Sequence, residues 1–552
     1  MPAELKRVLL LYTDKYYLVK QVYPFGLDLI ANHLRQYGYH VSIEFPFLPD
    51  WDPESNLAEI LERTNPDLIG LSIRNLDTTM SCEPYGEHKG PGYQTFFFFP
   101  ELVRLVDILR NLRPDVPLVA GGGAFTISPV AILQILGIEY GILGQGEEPL
   151  RQLIEAYPDK SKIAKIPSVV FKSGNGFHIN PARSYSLCDL GNLRAREKKF
   201  NYAYKTVGLP VQVKRGCNQK CSYCVEPLIE GRKYIFKDQS DIIEELKTVA
   251  EKHGGIRTIF FVDTEFNLPD LDYCSALVKE IIESGLHRHF RFSSQFLPKP
   301  FKRAFAELLA EAGFSIILTC DSFSDSVLEQ NGGSYRQKDI IKTLELCEQC
   351  GIDCTLALIF GLPGETSDTV DHTIRQMMSY PPNIMRRYEY TVGGRIYHGT
   401  PLCQLVERQD AAHHVYGRKS AGYIEPCYYC SPARPLELKA YIENAFPFAP
   451  LYQNEFDQTK HQSLAISYLI DQEKWGKATA RFFDSDLAAQ TSIYEYIFRK
   501  LADSGKIETA RTVSEHLLGK MLKNRQGTQY TDDIAVVQFY LSLLETASPD
   551  YS

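Results

Sequence analysis

The chain contains 552 residues, of which 44% are hydrophobic and 23% are charged, as in a water-soluble globular protein. This length exceeds what one hydrophobic core usually holds, so about three domains are expected. No apolar run approaches the roughly 20 residues of a membrane-spanning helix. The net charge of −8, without a dense stripe of Lys and Arg, argues against a nucleic-acid partner. Thirteen cysteines behind an N-terminus without a cleavage signal predict reduced thiols in the cytoplasm.

Residues 1–155 alternate between strand and helix patterns. Apolar strands are predicted at 8–12, 41–45 and 68–73, and amphipathic helices at 26–37 and 57–63. This alternation predicts an α/β domain with a doubly wound, Rossmann-like parallel sheet, in which ligands bind beyond the carboxyl ends of the strands.

Three turns follow strands of this sheet. They carry Ser72, Arg74 and Asn75; Gly121, Gly122 and Gly123; and Gly144, Gly146 and Glu147. Glycines in such turns let backbone amides approach a bulky ligand or a phosphate, although ordinary tight turns look the same. The dinucleotide fingerprint G-x-G-x-x-G is absent, which argues against NAD. The run 96–99, all Phe, is expected to form a ligand wall, a domain interface or plain core.

Residues 156–200 are predicted to be a linker that contains a β-hairpin at 168–179, with Gly-Asn-Gly at its turn. From 201 to 403 the strand and helix patterns resume, with strands near 211, 258, 290, 315, 354 and 389. Six strand-helix units are fewer than the eight of a closed (β/α)₈ barrel. We therefore expect a partial (β/α)₆ barrel, with its chemistry at the carboxyl ends of the strands.

Three cysteines, Cys217, Cys221 and Cys224, follow the first of these strands with C-x3-C-x2-C spacing. A [4Fe-4S] cluster takes four ligands, so three thiolates would leave one iron open to an amine and a carboxylate of a small molecule. A structural zinc site is the alternative, but it normally needs two cysteine pairs. The pair Cys427-x2-Cys430 could contribute only across the fold.

Polar residues occur where the later strands are predicted to end. Asp263, Glu265 and Asn267 would share one face of an extended chain. The segments 291–295, 319–322, 358–366 and 393–402 end the following strands and contain, in order, Ser293 and Gln295, Asp321 and Ser322, Gly361, and Arg395. Polar residues at strand ends are common, so each is a weak signal alone.

The cysteine motif, with Tyr223 before its last cysteine, resembles that of the radical S-adenosylmethionine (SAM) enzymes, and 358–366 resembles their fifth-strand motif. The three upstream turns, in their order, resemble the cobalamin-binding domain fused to some members. The glycines that precede the glutamate in the family's glycine-glycine-glutamate motif are missing before Glu265. The D-x-H-x-x-G segment that supplies a cobalt-binding histidine in mutase-type cobalamin domains is also absent.

The resemblance implies a role for each candidate residue. The [4Fe-4S] cluster would bind Cys217, Cys221 and Cys224. SAM would bind Tyr223, Gly361, Glu265, Asp263, Ser293, Gln295, Asp321 and Ser322, with Tyr223 and Gly361 beside adenine and Glu265 on the amine. Cobalamin would bind Ser72, Arg74, Asn75, Gly121, Gly122, Gly123, Gly144, Gly146 and Glu147. Arg395 would bind a cofactor or substrate carboxylate.

The implied activity is methyl transfer from methylcobalamin to a carbon atom of a small molecule or peptide, in natural-product biosynthesis, with flavodoxin or ferredoxin as electron donor. Polar methyl transfer to an aromatic carbon and a cyclisation or ring rearrangement without methylation use the same cofactors. A non-catalytic corrinoid or cluster carrier is the hypothesis from another class, and the fifth-strand motif argues against it.

Residues 404–552 are predicted to be mostly helical and to cap the barrel mouth, where they would build the substrate pocket. Cys427 and Cys430 in this region could be ligands, a redox pair or a hydrogen donor. Cys320, Cys347, Cys350 and Cys354 are expected to be core residues.

Overall fold

A computed structural model describes residues 5–14, 22–47, 52–187, 196, 200, 208–252, 256–408, 413–450, 458–524 and 531–546. Most of the polar end of the predicted linker, 188–195 and 197–199, lies outside these residues. None of the helices in the described ranges is both long and apolar enough to cross a lipid bilayer.

The N-terminal region forms a seven-stranded sheet. Its elements are β1 (Arg7–Tyr12), β2 (His40–Glu44), β3 (Leu68–Ser72), the separate hairpin β4 (His88–Gly90) and β5 (Tyr93–Thr95), β6 (Leu118–Gly121), β7 (Tyr140–Ile142), β8 (Val169–Ser173) and β9 (Gly176–Ile179). The sheet order is β2-β1-β3-β6-β7-β8-β9, and the pairs from β2 to β7 are parallel. The predicted doubly wound α/β fold is confirmed.

Helices connect these strands and cover the sheet. They span Phe25–Gln36, Pro53–Thr64, Phe99–Leu112, Gly123–Ile127, Pro129–Leu136, Glu147–Ala156 and Lys160–Ile163. The predicted hairpin forms as β8 and β9, but β8 pairs antiparallel with β7. This part of the predicted linker therefore belongs to the sheet, because its backbone supplies the hydrogen bonds that β7 would otherwise lack.

The second region is an open barrel. Its strands are β10 (Leu209–Val211), the short ribbon β11 (Lys214–Arg215) and β12 (Ile235–Phe236), β13 (Thr258–Phe261), β14 (Arg291–Phe296), β15 (Phe314–Asp321), β16 (Cys354–Phe360) and β17 (Arg386–Val392). The order β10-β13-β14-β15-β16-β17 is parallel throughout. The predicted partial (β/α)₆ barrel is confirmed.

The barrel helices span Glu226–Ile229, Gln239–Lys252, Leu271–Glu283, Arg303–Glu311, Asp325–Gln330, Gln337–Cys350 and Ser367–Ser379. Burial alternates along each long strand. In β14, Phe292 and Phe296 are fully buried toward the helices, whereas Ser293 and Gln295 are only partly buried on the opposite face. This alternation leaves a polar inner face on which a ligand can lie.

The third region begins with a small antiparallel sheet of β18 (Gly394–Arg395), β19 (Val415–Gly417) and β20 (Cys427–Tyr429). Helices follow at Pro401–Glu407 and Pro435–Ala445, and then at Gln458–Asp471, Trp475–Asp484, Leu487–Asp503, Ile507–Lys523 and Thr531–Thr546. The helical character predicted for this region is confirmed, and the small sheet is an addition that the sequence did not indicate.

Two of the late helix pairs are joined by the same kind of turn: Gln458–Asp471 with Trp475–Asp484, and Leu487–Asp503 with Ile507–Lys523. Glu473 and Gly505 end their first helices in the left-handed conformation. In both turns the next lysine donates its N–H over 2.9 Å, from Lys474 to the carbonyl of Leu469 and from Lys506 to the carbonyl of Leu501. Each counterpart lies 32 positions further on, which indicates a helical repeat of the solenoid kind.

The late helices pack on the N-terminal sheet and not on the barrel mouth. The Phe45 N–H, just after the edge strand β2, donates to Tyr468 Oη over 3.0 Å. Glu59 forms ion pairs with Lys474 at 2.6 Å and Lys477 at 2.9 Å. The prediction that 404–552 caps the barrel is therefore wrong for 458–546, because an amphipathic pattern shows that a helix face is buried but not against which surface.

Candidate active site

A cavity of about 750 Å³ lies between the first two regions. The carboxyl ends of β1, β3, β6 and β7 border it on one side, and residues at the barrel mouth border it on the other. The candidate residues that line it are Ser72, Arg74, Asn75, Gly121, Gly122, Gly123, Gly144, Gly146, Glu147, Asp263 and Gln295. No histidine and no residue of 458–546 is among the described residues that line it.

The glycine turns bring backbone to the cavity wall. Gly122 has a φ of 106°, and a Cβ there would lie 2.6 Å from the Ile73 carbonyl oxygen, so only glycine fits. Gly144 has a φ of 62°, and its N–H donates to Thr126 Oγ1 over 3.0 Å. These turns leave the ends of β3, β6 and β7 open to close approach by a ligand.

Arg74 follows β3 and extends into the cavity with a side chain that is 43% exposed. Its guanidinium lies 3.7 Å from the carboxylate of Asp14, a residue that is almost fully buried after β1. The phenol of Tyr12 also interacts with Arg74. Tyr12 at the end of β1 and Asp14 just after it thus orient the Arg74 guanidinium.

Glu147 and Arg215 form a buried ion pair of 2.7 Å between the N-terminal region and the barrel. Burial by itself raises the pKa of Glu147, but the Arg215 guanidinium outweighs it and the pKa is lowered overall. Glu147, predicted to bind cobalamin, therefore already has a strong partner in the protein.

Asp263 and Glu265 follow β13, which ends at Phe261. The prediction that they share one extended face with Asn267 is wrong, because the chain turns after the strand. Asp263 Oδ1 accepts hydrogen bonds from the N–H groups of Val213 and Lys214 at 2.9 and 2.8 Å. The amide of Asn267 bonds to the backbone of Leu297.

Within the described structure, one carboxylate oxygen of Glu265 is hydrogen-bonded and the other is not. Its Oε1 accepts a hydrogen bond of 2.7 Å from Thr319 Oγ1 on β15, and its Oε2 has no hydrogen-bond partner among the described residues. Burial raises the pKa of Glu265 to about 8. A buried carboxylate of this kind fits a cationic ligand, as the resemblance to the SAM-binding glutamate predicts.

The three cysteines lie on the loop after β11. Burial raises the pKa of Cys217, and that of Cys224 to about 12. All three are free thiols. Besides burial, the negative charges that Cys217 and Cys224 would carry as thiolates raise the pKa of Cys221, and that of Cys217 raises the pKa of Cys224. Thiols so shielded from water become thiolates only beside positive charge, which the irons of a cluster supply, so the loop fits a [4Fe-4S] cluster.

The loop is held on both sides. Ser222 donates its N–H to the Asn331 carbonyl over 3.0 Å, and the Leu402 N–H donates to the Ser222 carbonyl over 2.9 Å. In the described residues no three His, Cys, Asp or Glu side chains converge on a single metal ion. A cluster does not require this, because each thiolate binds its own iron.

Cys427 and Cys430 do not complete a zinc site with this loop in the described structure. Both are fully buried, in separate hydrophobic clusters. A Cβ on Gly361, whose φ is 92°, would lie 2.6 Å from the Cys430 sulfur. Cys430 therefore packs against the turn of the fifth-strand motif, where only glycine fits. Cys320, Cys347 and Cys354 are buried in the core, as predicted, and Cys350 packs against it.

Tyr223 and Asp321 meet beside the cysteine loop. Tyr223 Oη donates to Asp321 Oδ1 over 2.7 Å, and Tyr335 also bonds to this carboxylate. Burial raises the pKa of Asp321 to about 6. Asp321 adopts a φ of 47° where the pairing of β15 with β16 is irregular. This irregular backbone places the carboxylate beside Tyr223, next to the cysteine loop.

Two candidate residues have partners inside the protein. Arg395 donates to Asp77 over 2.9 Å and to the carbonyl of Ile396 over 2.7 Å, and it is 5% exposed. Ser322 is buried and lies 3.1 Å from the hydroxyl of Thr373. Neither residue lines the cavity, and the fold already satisfies the polar groups of both. Ser293 lies on the inner face of β14.

Sequence reasoning missed several residues that line the cavity. They are Tyr12, Arg215, Glu226, Ile229, Glu230 and Tyr397. Glu226 stands two positions after Cys224, so the cysteine motif could have pointed to it. The run 96–99 does not line the cavity in the described structure; Phe96 and Phe98 form a small buried cluster and Phe99 joins the main core.

Two family models match the chain. Residues 211–377 match the radical SAM superfamily, and residues 18–154 match the B12 binding domain. The chain is a radical SAM enzyme with a B12-binding domain. Its cofactors are a [4Fe-4S] cluster, SAM and cobalamin. All nine residues predicted to bind cobalamin line the cavity, together with Asp263 and Gln295. The other candidates do not line it: Cys217, Cys221, Cys224, Tyr223, Glu265, Ser293, Asp321, Ser322, Gly361 and Arg395.

Individual relatives extend over most of the enzyme. Tryptophan 2-C-methyltransferase of Streptomyces laurentii is 25% identical over 466 residues, 72% of this chain and 74% of the relative. The methyltransferase TsrM from Kitasatospora setae, solved with cobalamin and a [4Fe-4S] cluster, matches with a TM-score of 0.69 at 22% identity, covering 86% of this chain and 99% of TsrM. The cobalamin-dependent enzyme OxsB matches with a TM-score of 0.64 at 14% identity, covering 98% and 84%. These two structures share the fold.

Proposed function

We propose that the enzyme transfers a methyl group to a carbon atom of a small-molecule or peptide substrate in natural-product biosynthesis. The observation that carries the proposal is the shared cavity, which the ends of β3, β6 and β7 border on one side and Asp263 and Gln295 border on the other. When bound, cobalamin supplies a methyl carrier, SAM supplies methyl groups, and the cluster supplies one-electron chemistry. The protein binds and orients these groups and excludes water.

The residues take separate roles in this proposal. Cys217, Cys221 and Cys224 hold the cluster, and the free oxygen of Glu265 accepts hydrogen bonds from the SAM ammonium. The carboxylate of Asp321, which Tyr223 orients over 2.7 Å, lies where a ribose hydroxyl can donate to it. Arg74, directed by Asp14, would bind cobalamin from the cavity wall.

The substrate class is proposed from the relatives and the cavity together. The Streptomyces laurentii relative is named for methylation of tryptophan at carbon 2. Aromatic side chains of Tyr12, Phe260 and Tyr397 line the cavity of the enzyme. We therefore place an aromatic amino acid, or a peptide that contains one, first among the substrates to test.

The test is an anaerobic assay of the reconstituted enzyme with SAM, reductant, hydroxocobalamin and L-tryptophan or tryptophan-containing peptides. A product heavier by one methyl group, with S-adenosylhomocysteine, supports the proposal. Deoxyadenosine formed in proportion to product indicates a radical route, and its absence indicates polar transfer. Deoxyadenosine with an isomerised or cyclised, unmethylated product would replace methyl transfer by rearrangement. Cofactor binding without any of these products would favour a carrier.

The partners follow from the same chemistry. Reduction of the cluster needs a low-potential electron donor, for which we propose a flavodoxin or a ferredoxin. The twelve described cysteines are all free thiols. Free thiols are usual in the reducing cytoplasm, which is the location that we propose.

A further inference from the structure

The segment 226–231 begins two residues after Cys224, the last of the three predicted cluster cysteines. It is also hydrogen-bonded to Cys217, the first of them. Val225 alone separates Cys224 from the helix Glu226–Ile229. The Cys217 N–H donates to the Gly231 carbonyl over 3.0 Å. The Gly216 N–H donates to the carboxylate of Glu230, also over 3.0 Å. The cysteine loop and the segment 226–231 therefore form one closed unit.

The same segment lies against the turns of the B12-binding domain. A Cβ on Gly123 would lie 3.3 Å from Ile229 Cδ1, and a Cβ on Gly144 would lie 3.1 Å from the Ile229 carbonyl oxygen. Ile229, Glu226 and Glu230 all line the cavity. The part of the cavity wall beside the glycine turns is thus built by residues that directly follow the cysteine loop.

Glu226 offers this wall a polar contact. Its carboxylate lines the cavity, and the structure shows no hydrogen bond to it from the described residues; the nearest opposite charge is that of Arg74. The rim of the corrin carries amide side chains whose N–H groups are donors. A carboxylate that faces the cavity can accept charge-assisted hydrogen bonds from such donors.

We propose that the segment 226–231 couples the two cofactor sites, so that a cluster on the cysteines tightens cobalamin binding and bound cobalamin tightens retention of the cluster. Three cysteines bound to one cluster fix the loop and with it the positions of Glu226 and Ile229. Without the cluster, hydrogen bonds such as those from Gly216 and Cys217 hold the segment, and cobalamin must supply the restriction that the cluster would have added. Linkage then requires the same factor in both directions. The inference rests on the cofactors and not on the methyl acceptor.

The coupling is measured by equilibrium binding of hydroxocobalamin to the full chain, with the cluster reconstituted and after its removal by a chelator. We expect the Kd to be at least about fivefold lower with the cluster, within the usual range of coupling between sites. In the reciprocal titration, the chelator concentration that removes half of the iron at equilibrium should rise when cobalamin is bound. Equal Kd values in both states would overturn the proposal.

Two variants of the same short helix provide a matched pair. Ile229→Ala removes the side-chain atoms that lie beside Gly123 and line the cavity. Leu228→Ala changes a side chain that is 41% exposed and does not line the cavity. We expect Ile229→Ala to bring the ratio of the two Kd values toward one and Leu228→Ala to leave it unchanged. Equal ratios in both variants, with normal circular dichroism, would contradict the coupling.

Glu226→Gln tests the polar contact separately. This substitution keeps the size of the side chain and removes its charge, so the cluster-loaded enzyme should bind hydroxocobalamin several-fold more weakly. An unchanged Kd would remove Glu226 from the proposal. If the unmodified enzyme bound no hydroxocobalamin in either state, the cofactor assignment itself, and with it the proposed function, would fail.

Discussion

At the residue scale, the site depends on carboxylates that the fold keeps out of water. Burial raises the pKa of Glu265 to about 8 and that of Asp321 to about 6. In the turn of the fifth-strand motif, burial also raises the pKa of Glu365 to about 8. Each is poised to gain more from a bound cation or donor than an exposed carboxylate would.

Glu265→Gln should weaken SAM binding by about ten- to a hundredfold, because a charge-assisted hydrogen bond of roughly 1.5–3 kcal/mol is lost while the bond from Thr319 can persist. Equilibrium dialysis with SAM measures the change. Glu283→Gln, on an exposed helix end, is the control. Equal affinity in both variants would show that Glu265 does not bind the ammonium.

Glu365 makes a pH-dependent contribution to stability. Its pKa is raised from 4.5 to about 8, so the folded protein holds a proton that the unfolded chain releases above pH 4.5. Protonated Glu365 therefore stabilises the folded protein at low pH. This contribution to the free energy of unfolding falls by roughly 1 kcal/mol per pH unit as the pH rises from 4.5 toward 8. Glu365→Gln, which cannot titrate, should lose less stability than the parent between pH 6 and 8 in urea unfolding. Parallel losses would contradict this.

The site predictions that sequence supports most strongly concern residues whose spacing has a direct chemical meaning. The cysteine motif and the glycine turns were found because ligand number and backbone geometry restrict the residue type. The partner of a single polar side chain is not restricted in this way. Arg395 and Asp77 are 318 positions apart, and nothing local in the sequence pairs them.

At the scale of elements, the turn after β6 leaves no room for a side chain at Gly122. Gly122→Ala should lower the unfolding free energy by roughly 1–3 kcal/mol, because its φ is 106° and the added methyl group would lie 2.6 Å from a carbonyl oxygen. The neighbouring Gly121→Ala is the control, since its nearest atom would lie 3.8 Å away. Chemical denaturation compares them, and equal losses would rule out the steric explanation.

Element type and order could be predicted because hydrophobic periodicity reports them directly. The alternation gave both parallel sheets and the six barrel strands. It failed at the end of β13, where the extended pattern was continued past Phe261 although the chain turns to bond Asp263 to the backbone of Val213. It also missed the 32-residue helical repeat, whose signal is a pair of turns and not a strong apolar period.

At the scale of the whole molecule, a buried ion pair joins the two cofactor domains. Glu147→Ala should cost roughly 3–5 kcal/mol, because it leaves the Arg215 charge buried without a partner. Replacing both residues by Met should cost less than the single change. The exposed pair Lys439–Glu443, at 2.9 Å, gives the control Glu443→Ala, expected within about 0.5 kcal/mol of the parent. Thermal unfolding separates these cases, and a small effect of Glu147→Ala would contradict the account.

The arrangement of the domains is what the sequence could least provide. The helices of 458–546 were expected over the barrel mouth, but the Phe45 N–H and Glu59 show that they cover the edge of the N-terminal sheet. Which surfaces meet depends on the shapes of both partners, and a single sequence pattern describes only one of them.

We propose that the enzyme uses cobalamin and SAM together for methyl transfer. The most direct measurement incubates the reconstituted enzyme anaerobically with hydroxocobalamin, reductant and SAM labelled in its methyl group, and then follows the label by mass spectrometry. The account predicts label in the corrinoid and, with a competent acceptor, in a carbon-methylated product. Both cofactors bound, with the label remaining entirely in SAM, would contradict it.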